Sequence, residues 1–144
     1  MKNIKKILYV EDNPRDRELT LSALEEFNLV NEIICVQDGE EALNYLFKKG
    51  KYAGLENDSI GAILLDIKMP KIDGIEVLRR IKSDDKLKLI PVVMLTSSRE
   101  ERDLVESYSL GVNAYVVKPV DFMEFINAIK SVGLFWAILN ETPE

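Results

Sequence analysis

Short, uniformly apolar runs recur along the chain and predict the strands of a buried sheet. They are rich in branched residues and lack the alternation expected of a strand with one face in water. The runs are Ile7–Val10, Ile33–Val36, Ile60–Leu65, Val92–Leu95 and Ala114–Val117. We therefore expect five strands, each covered on both faces.

Amphipathic segments separate these runs, with apolar residues at the three- and four-residue spacing of a helix face. The predicted faces are Leu19, Ala23, Leu24 and Phe27; Ala42, Leu43, Leu46 and Phe47; Ile75, Leu78 and Ile81; Leu104, Val105 and Tyr108; and Phe122, Phe125, Ile126 and Ile129. Asn13 is suited to cap the first helix, and Pro14 suits its first turn. The alternation of strand and helix predicts an α/β fold with a doubly wound, five-stranded parallel sheet in the order 2-1-3-4-5.

A single domain is expected over residues 1–144, with a core of about 4–130 and an extended C-terminal helix and tail of about 131–144. The polar stretch Gly50–Ser59 predicts a surface loop between the second helix and the third strand. The sequence contains neither a linker nor an internal repeat.

Composition narrows the classes of function. The net charge of −6 opposes binding of nucleic acid phosphates by the surface as a whole. The chain has no histidine, which excludes Ser-His-Asp and Cys-His catalysis and the usual zinc sites.

The single cysteine, Cys35, lies in an apolar run and is expected to be a buried thiol in a reducing compartment. No stretch approaches the ~20 apolar residues of a membrane span and no signal core is present, so we expect a cytoplasmic protein without membrane contact.

Polar side chains with complementary chemistry follow the predicted strands. In an open α/β sheet, the binding site lies beyond the carboxyl ends of the strands. The residues at these ends are Glu11, Asp12, Asp66, Thr96, Ser97, Lys118 and Pro119. Three carboxylates, a hydroxyl and an ammonium are therefore expected to converge at one edge of the sheet.

This combination suits a divalent cation and a phosphoryl group. Three carboxylates repel one another, and Mg²⁺ with its preference for oxygen ligands supplies the counter-charge. Lys118 can bind an anion beside the metal, and Thr96 can donate a hydrogen bond to that anion. Asp66 can then act as the nucleophile that accepts the phosphoryl group, and the small Ser97 leaves the approach to it open.

These residues resemble the receiver domain of two-component response regulators, and the resemblance extends over nearly the whole chain. The matching positions are the acidic pair Glu11-Asp12, the phosphoacceptor Asp66, the loop DIKMPKIDG, the hydroxyl of Thr96, the aromatic switch Tyr115 and the lysine with its cis-proline, Lys118-Pro119. Each motif alone is weak, but together, in order and at the right strand ends, they are specific. Glu11 stands where many members have aspartate, and either acid can hold Mg²⁺.

The resemblance implies a flavodoxin-like (βα)5 fold, with a phosphoryl group transferred to Asp66 from a phosphohistidine of a sensor histidine kinase. It implies Mg²⁺ ligands at Glu11, Asp12, Asp66 and the backbone carbonyl of Lys68. It assigns phosphate binding to Thr96, Ser97 and Lys118, and switching to Thr96 and Tyr115. Such a protein catalyses only its own phosphorylation and dephosphorylation.

A narrower resemblance concerns the kinase partner. The short chain, the long loop near 50–58 and the ending SVGLFWAILN are similar to the single-domain regulators partnered with cyanobacterial and bacterial phytochromes. This implies a phytochrome-type kinase and a signal that leaves through protein contacts. Phe135 and Trp136 either finish the last helix against the core or form a surface for the kinase or for a homodimer, because aromatic residues are favoured at interface centres.

Several site residues also have a purely structural explanation. Asp66 could cap the turn that follows it, and Glu11-Asp12 could cap the first helix, where acids interact favourably with the helix dipole. Thr96 could be an ordinary strand-end residue and Lys118 a solvated one, while Tyr115 could serve packing alone. Their combination at one sheet edge favours a shared site.

Two other functions are compatible with this fold. Haloacid dehalogenase phosphatases also place a nucleophilic aspartate at the end of a parallel strand, but they need a second aspartate two residues on, where this chain has Lys68. A flavin-binding module needs a hydroxyl- and glycine-rich phosphate loop after the first strand. The stretch EDNPRD instead presents carboxylates, which repel phosphate.

Overall fold

A five-stranded parallel sheet organises the molecule, as the sequence predicts. The structure, a computed structural model, describes residues 6–25, 33–54, 60–107, 110–112 and 114–131. The strands are β1 (Lys6–Val10), β2 (Ile33–Val36), β3 (Ile60–Asp66), β4 (Val92–Thr96) and β5 (Ala114–Val117). Their order is β2-β1-β3-β4-β5, all pairs parallel, which confirms the predicted doubly wound fold.

Five helices of the described ranges connect and cover the strands. They are α1 (Pro14–Glu25), α2 (Gly39–Leu46), α3 (Gly74–Lys82), α4 (Arg99–Ser107) and α5 (Phe122–Ser131). The Asn13 side chain caps α1 as predicted, accepting hydrogen bonds from the backbone N–H groups of Arg15 and Asp16 at 2.9 and 3.0 Å. Asp38 and Asp73 cap α2 and α3 in the same way. Single 3₁₀ turns at Gly50–Tyr52 and Leu87–Leu89 were not predicted.

Both faces of the sheet are covered, which explains why the strand sequences do not alternate. Leu8 and Val10 of β1 pack in one core with residues of α2 and α3, whereas Ile7 and Tyr9 pack in the other with residues of α1 and α5. Successive residues of a strand point to opposite faces, so a strand between two helical layers must be apolar at every position.

Three sequence expectations about burial were wrong. Cys35, expected to be a buried thiol, is exposed because β2 is the outer strand of the sheet and pairs only with β1. Leu19 and Leu104, assigned to core-facing helix surfaces, are 49% and 48% exposed. Each lies at the margin of its apolar stripe, where a small rotation of the helix about its axis decides burial.

Some predictions fall outside the described residues. These are the helix-face residues Phe27 and Tyr108, the last part of the polar loop at 55–59, the tail after 131, and with it Phe135 and Trp136. Within the described ranges, no helix combines the length and the apolar character needed to cross a membrane.

Candidate functional site

Three carboxylates meet at the carboxyl edge of the sheet, where the sequence places them. Asp66 ends β3 and Glu11 directly follows β1, and both are buried. Asp12 is half-buried. One oxygen of each acid lies within 4.8 Å of one oxygen of the others, a spacing that one cation can bridge. The backbone N–H of Glu11 donates to the carbonyl oxygen of Val36 at 3.1 Å, which holds the acid beside the end of β2.

Lys118 brings an ammonium group into this acidic group. Its Nζ lies 2.9 Å from Asp66 Oδ1, 3.0 Å from Glu11 Oε1 and 3.1 Å from Asp16 Oδ2. Its backbone N–H donates to the carbonyl oxygen of Thr96 at 2.8 Å, and the peptide bond to Pro119 is cis, as the resemblance implied. Lys118 is therefore fixed both at its backbone and at its charged end.

The charges of this group perturb one another. Burial and the neighbouring charge of Glu11 raise the pKa of Asp66 to about 7, although the hydrogen bond from Lys118 acts in the opposite direction. Burial alone would lower the pKa of Lys118, but its hydrogen bonds to Asp66 and Glu11 outweigh burial, so its pKa lies above the usual value. One ammonium facing several acids leaves an excess of negative charge, which a cation would relieve. The three carboxylates thus fit Mg²⁺ in both chemistry and spacing.

Thr96 presents a hydroxyl without a partner. It ends β4 and is fully buried, and within the described residues its Oγ1 has no hydrogen-bond partner. A buried polar group left unpaired costs about 1–3 kcal/mol. The hydroxyl is therefore available to a ligand that enters the site.

Ser97 and Lys68 lie at the mouth of the site and share one acidic partner. The backbone N–H of Ser97 donates to Glu101 Oε1 at 2.8 Å. The Lys68 ammonium lies 3.6 Å from Glu101 Oε2, although its side chain is 81% exposed. Glu101 on α4 thereby joins the loop after β3 to the loop after β4.

The loop after β3 is folded tightly against the end of β3. The backbone N–H of Gly74 donates to the carbonyl oxygen of Ile67 at 2.7 Å. A Cβ added to Gly74 would overlap the carbonyl oxygen of Asp66 and would lie 2.9 Å from the Cα of Ile67. Glycine is therefore required here by close backbone approach.

Tyr115 lies on β5, away from the acidic group. Thr96 pairs with Val117 and Met94 with Tyr115, so Tyr115 and Thr96 share one face of the sheet. The Tyr115 ring is half-buried and lies beneath the guanidinium of Arg102 on α4, 4.9 Å from its centre. This position links the strand end that carries Thr96 to α4.

The sequence reasoning missed three residues that shape the site. Asp16 contacts Lys118, Glu101 contacts the loops after β3 and β4, and the Tyr9 hydroxyl donates to Glu11 Oε1 at 3.3 Å. Only Glu101 carried a sequence signal, because Ser98 and Glu101 have the spacing of a capping box. Indeed, the Glu101 N–H donates to Ser98 Oγ at 3.2 Å.

Comparison with known proteins assigns the family. Residues 7–130 match the family model described as the response regulator receiver domain, so the chain belongs to that family. It is 38% identical over 132 residues to the response regulator Rcp1 of Synechocystis sp., covering 92% of this chain and 88% of Rcp1. It is thus a receiver of two-component signalling, and the comparisons give no support to the haloacid dehalogenase alternative.

Two solved structures are similar over nearly the full chain. The bacteriophytochrome response regulator AtBRR is 57% identical, with a TM-score of 0.90 over 97% of this chain and 100% of AtBRR. The Mn²⁺-bound form of Rcp1 is 37% identical, with a TM-score of 0.73 over 96% of this chain and 97% of Rcp1. That Rcp1 binds Mn²⁺ agrees with the cation chemistry of the acidic group found here.

Proposed function

We propose that the protein accepts a phosphoryl group on Asp66 from a phosphohistidine of a sensor histidine kinase. The observation that carries the proposal is the contact of 2.9 Å between the Lys118 ammonium and a buried Asp66, beside a Thr96 hydroxyl that lacks a partner among the described residues. A buried nucleophile, a fixed cation and a free donor are the groups that phosphoryl transfer requires.

The transfer follows from the positions of these groups. A carboxylate oxygen of Asp66 attacks phosphorus, the P–N bond breaks, and its electron pair returns to the imidazole of the kinase. Lys118 and Thr96 donate hydrogen bonds to the phosphoryl oxygens, while Ser97 leaves room for the incoming group. Bound Mg²⁺ would neutralise charge on the transferred group, held by Glu11, Asp12, Asp66 and the backbone carbonyl of Lys68. The protein would thus catalyse only its own phosphorylation and dephosphorylation.

The output is a change of surface. When Thr96 moves to bond the phosphoryl group, it vacates space on the face of the sheet that it shares with Tyr115. Tyr115 then turns inward and leaves Arg102, which reshapes the surface of α4, β5 and α5. A local charge change is thereby converted into a protein-binding signal, as in phosphorylation switches generally.

We propose that the kinase is of the phytochrome type. We also propose that residues 1–144 form a single receiver domain and that the protein is cytoplasmic. The likeness to a bacteriophytochrome response regulator and to Rcp1 over nearly the full chain supports this assignment. Transfer of labelled phosphate from a purified bacteriophytochrome kinase, compared with a kinase of another sensor class, tests the assignment directly. Faster transfer from the unrelated kinase would contradict it.

Replacement of the acceptor tests the central proposal. Asp66→Asn keeps the shape of the side chain but removes the nucleophile, so incubation with Mg²⁺ and acetyl phosphate should add no phosphate, whereas the wild-type protein should gain one by intact mass. Circular dichroism should show that the variant remains folded. Stoichiometric phosphorylation of Asp66→Asn would place the acceptor elsewhere.

A surface around Phe135 and Trp136 is proposed to bind the kinase or a second copy of the chain. These residues lie outside the described ranges, and the proposal rests on the apolar sequence LFWAIL near the C-terminus. Trp136→Ala should lower self-association or kinase affinity while acetyl phosphate still labels Asp66. An unchanged elution volume together with normal phosphorylation by the kinase would assign Trp136 to the core.

A further inference from the structure

Asp16 is a third carboxylate on the ammonium of Lys118, and it is not part of the receiver motif pattern. It lies in the first turn of α1, 102 residues from Lys118 in sequence, and its Oδ2 is 3.1 Å from Nζ. Asp66 and Glu11 contact the same Nζ at 2.9 and 3.0 Å. The ion pair therefore connects α1 to the end of β5 across the site.

The donors of Lys118 are fully used in this arrangement. An ammonium has three N–H donors, and three carboxylates occupy them. An anionic phosphodonor that binds while Asp66 is still a carboxylate adds a fourth anionic acceptor, so one of the present contacts must be released.

Asp16 is the partner that can leave at the lowest cost. Its side chain is 36% exposed, compared with 6% for Asp66 and 1% for Glu11. Water can therefore replace Lys118 at Asp16, whereas a carboxylate that loses its partner inside the pocket would be desolvated and unpaired. The position of Asp16 in the first turn of α1 also stabilises its charge after release, through the helix dipole.

We propose that Asp16 is a positioning residue that acts through Lys118: it holds one ammonium proton in the unphosphorylated protein and yields it to the phosphoryl anion. The inference rests on the proposed function, with Asp66 as the phosphoacceptor. Asp16 then competes with every anionic phosphodonor for Lys118. Its carboxylate lowers the affinity for the donor without taking part in the chemical step.

The test uses Asp16→Asn, which removes the charge and keeps the shape. The control is Glu18→Gln, the same loss of charge at an exposed position of α1 that does not contact Lys118. At saturating Mg²⁺, Asp16→Asn should lower the half-saturating concentration of acetyl phosphate about two- to fivefold, the range expected of a partly exposed ion pair. The maximal rate should stay constant, and Glu18→Gln should match the wild-type protein.

A second measurement needs neither metal nor phosphate. In the metal-free protein, the side-chain NMR signal of the Lys118 ammonium should exchange with water faster in Asp16→Asn than in Glu18→Gln, because a neutral amide oxygen holds the third proton more weakly than a carboxylate does. An ammonium signal that Asp16→Asn leaves unchanged would overturn the pairing. A half-saturating concentration that rises, or that equals the Glu18→Gln value, would overturn the competition. A wild-type protein that takes up no phosphate would instead refute the proposed function, while the ammonium signal still reports on the pair.

Discussion

At the residue scale, the environment of Asp66 is the main determinant of the site's chemistry. The carboxyl group is buried, lies near Glu11 and Asp12, and contacts one ammonium. Burial and the charge of Glu11 raise its pKa to about 7, against the effect of the Lys118 hydrogen bond. A carboxyl group with this pKa is partly protonated at neutral pH in the metal-free protein, and a bound cation would favour the carboxylate, the form that the proposed transfer needs.

This raised pKa predicts how the stability of the metal-free protein depends on pH. A carboxyl group whose folded pKa exceeds its unfolded value binds its proton more tightly in the folded state. The stabilisation that arises from the raised pKa of Asp66 is fully present below about pH 4 and is lost as the pH rises through about 7. The loss is on the order of 4 kcal/mol at most, for a shift of about three pKa units.

Urea unfolding of wild-type and Asp66→Asn proteins in a chelator, between pH 4 and 8, measures this effect. The free energy of unfolding of the wild-type protein should fall relative to that of the variant as the pH rises. Parallel curves for the two proteins would show that Asp66 ionises with an ordinary pKa.

The sequence predicted the central residues of the site but not the whole set. Asp66, Thr96 and Lys118 end strands of one parallel sheet, and the topology brings such ends together whatever the details of packing. Asp16 and Glu101 reach the site from helices, and their contacts depend on how each helix is rotated about its axis. No local pattern fixes that rotation, which also explains why Leu19 and Leu104 were misassigned.

At the element scale, the loop from β3 to α3 positions Asp66, the proposed phosphoacceptor. Gly74 begins α3 and lies against the backbone of Asp66 and Ile67, so the helix start and the strand end are in direct contact. Asp73 caps the same helix by accepting a hydrogen bond from the Glu76 N–H at 2.9 Å. The loop after β3 is thereby held by the close backbone approach at Gly74 and by the side-chain cap of Asp73.

We expect Gly74→Ala to damage both stability and metal binding. Its Cβ would overlap the carbonyl oxygen of Asp66, and a backbone atom cannot move aside as a flexible side chain can. The cost should reach or exceed the ~1–3 kcal/mol typical of overpacking. Gly54→Ala is the control, since Gly54 has open space around it and only the strain of its φ of +87°, for which about 1–2 kcal/mol is expected.

Chemical denaturation measures the two costs, and titration calorimetry measures Mg²⁺ affinity. Only Gly74→Ala should weaken Mg²⁺ binding, because only this change displaces the strand end that carries Asp66. Equal loss of stability in the two variants, with Mg²⁺ affinity unchanged in both, would show that the loop can relax around the added methyl group.

The strands were predicted to within one residue, whereas the burial of individual residues was predicted less well at the edge of the sheet. All five strands were recognised from unbroken apolar runs, the pattern expected of strands that are buried on both faces. The same rule gave the wrong burial for Cys35, because it was applied to β2 although the predicted strand order places β2 at the edge of the sheet. The 3₁₀ turn at Leu87–Leu89 was missed because its residues carry no helical period over so short a length.

At the scale of the whole molecule, stability and function place opposite demands on the acidic edge of the sheet. The chain has a net charge of −6, and three carboxylates lie within 4.8 Å of one another at a single edge. Their repulsion destabilises the folded metal-free protein as a whole. Because a cation binds the folded site and not the dispersed carboxylates of the unfolded chain, metal binding and global stability are linked.

Mg²⁺ should therefore stabilise the fold. Asp12→Ala should weaken Mg²⁺ binding but stabilise the metal-free protein. At a concentration of 100 times its dissociation constant, Mg²⁺ adds about 2.7 kcal/mol, or roughly 5–10 °C in melting temperature for a chain of this size. Asp12→Ala removes one anionic ligand, so it should lose most of this increase. The metal-free variant should melt at a higher temperature than the metal-free wild-type protein, since repulsion in the acidic group is reduced.

Asp85→Ala is the control, because its side chain is 96% exposed and it precedes β4 at the opposite edge of the sheet. Differential scanning calorimetry with Mg²⁺ and with chelator gives all the temperatures needed. A metal-free Asp12→Ala protein that melts below both the wild-type and the Asp85→Ala proteins would show that Asp12 stabilises the fold without metal, and that the acidic edge is not under repulsive strain.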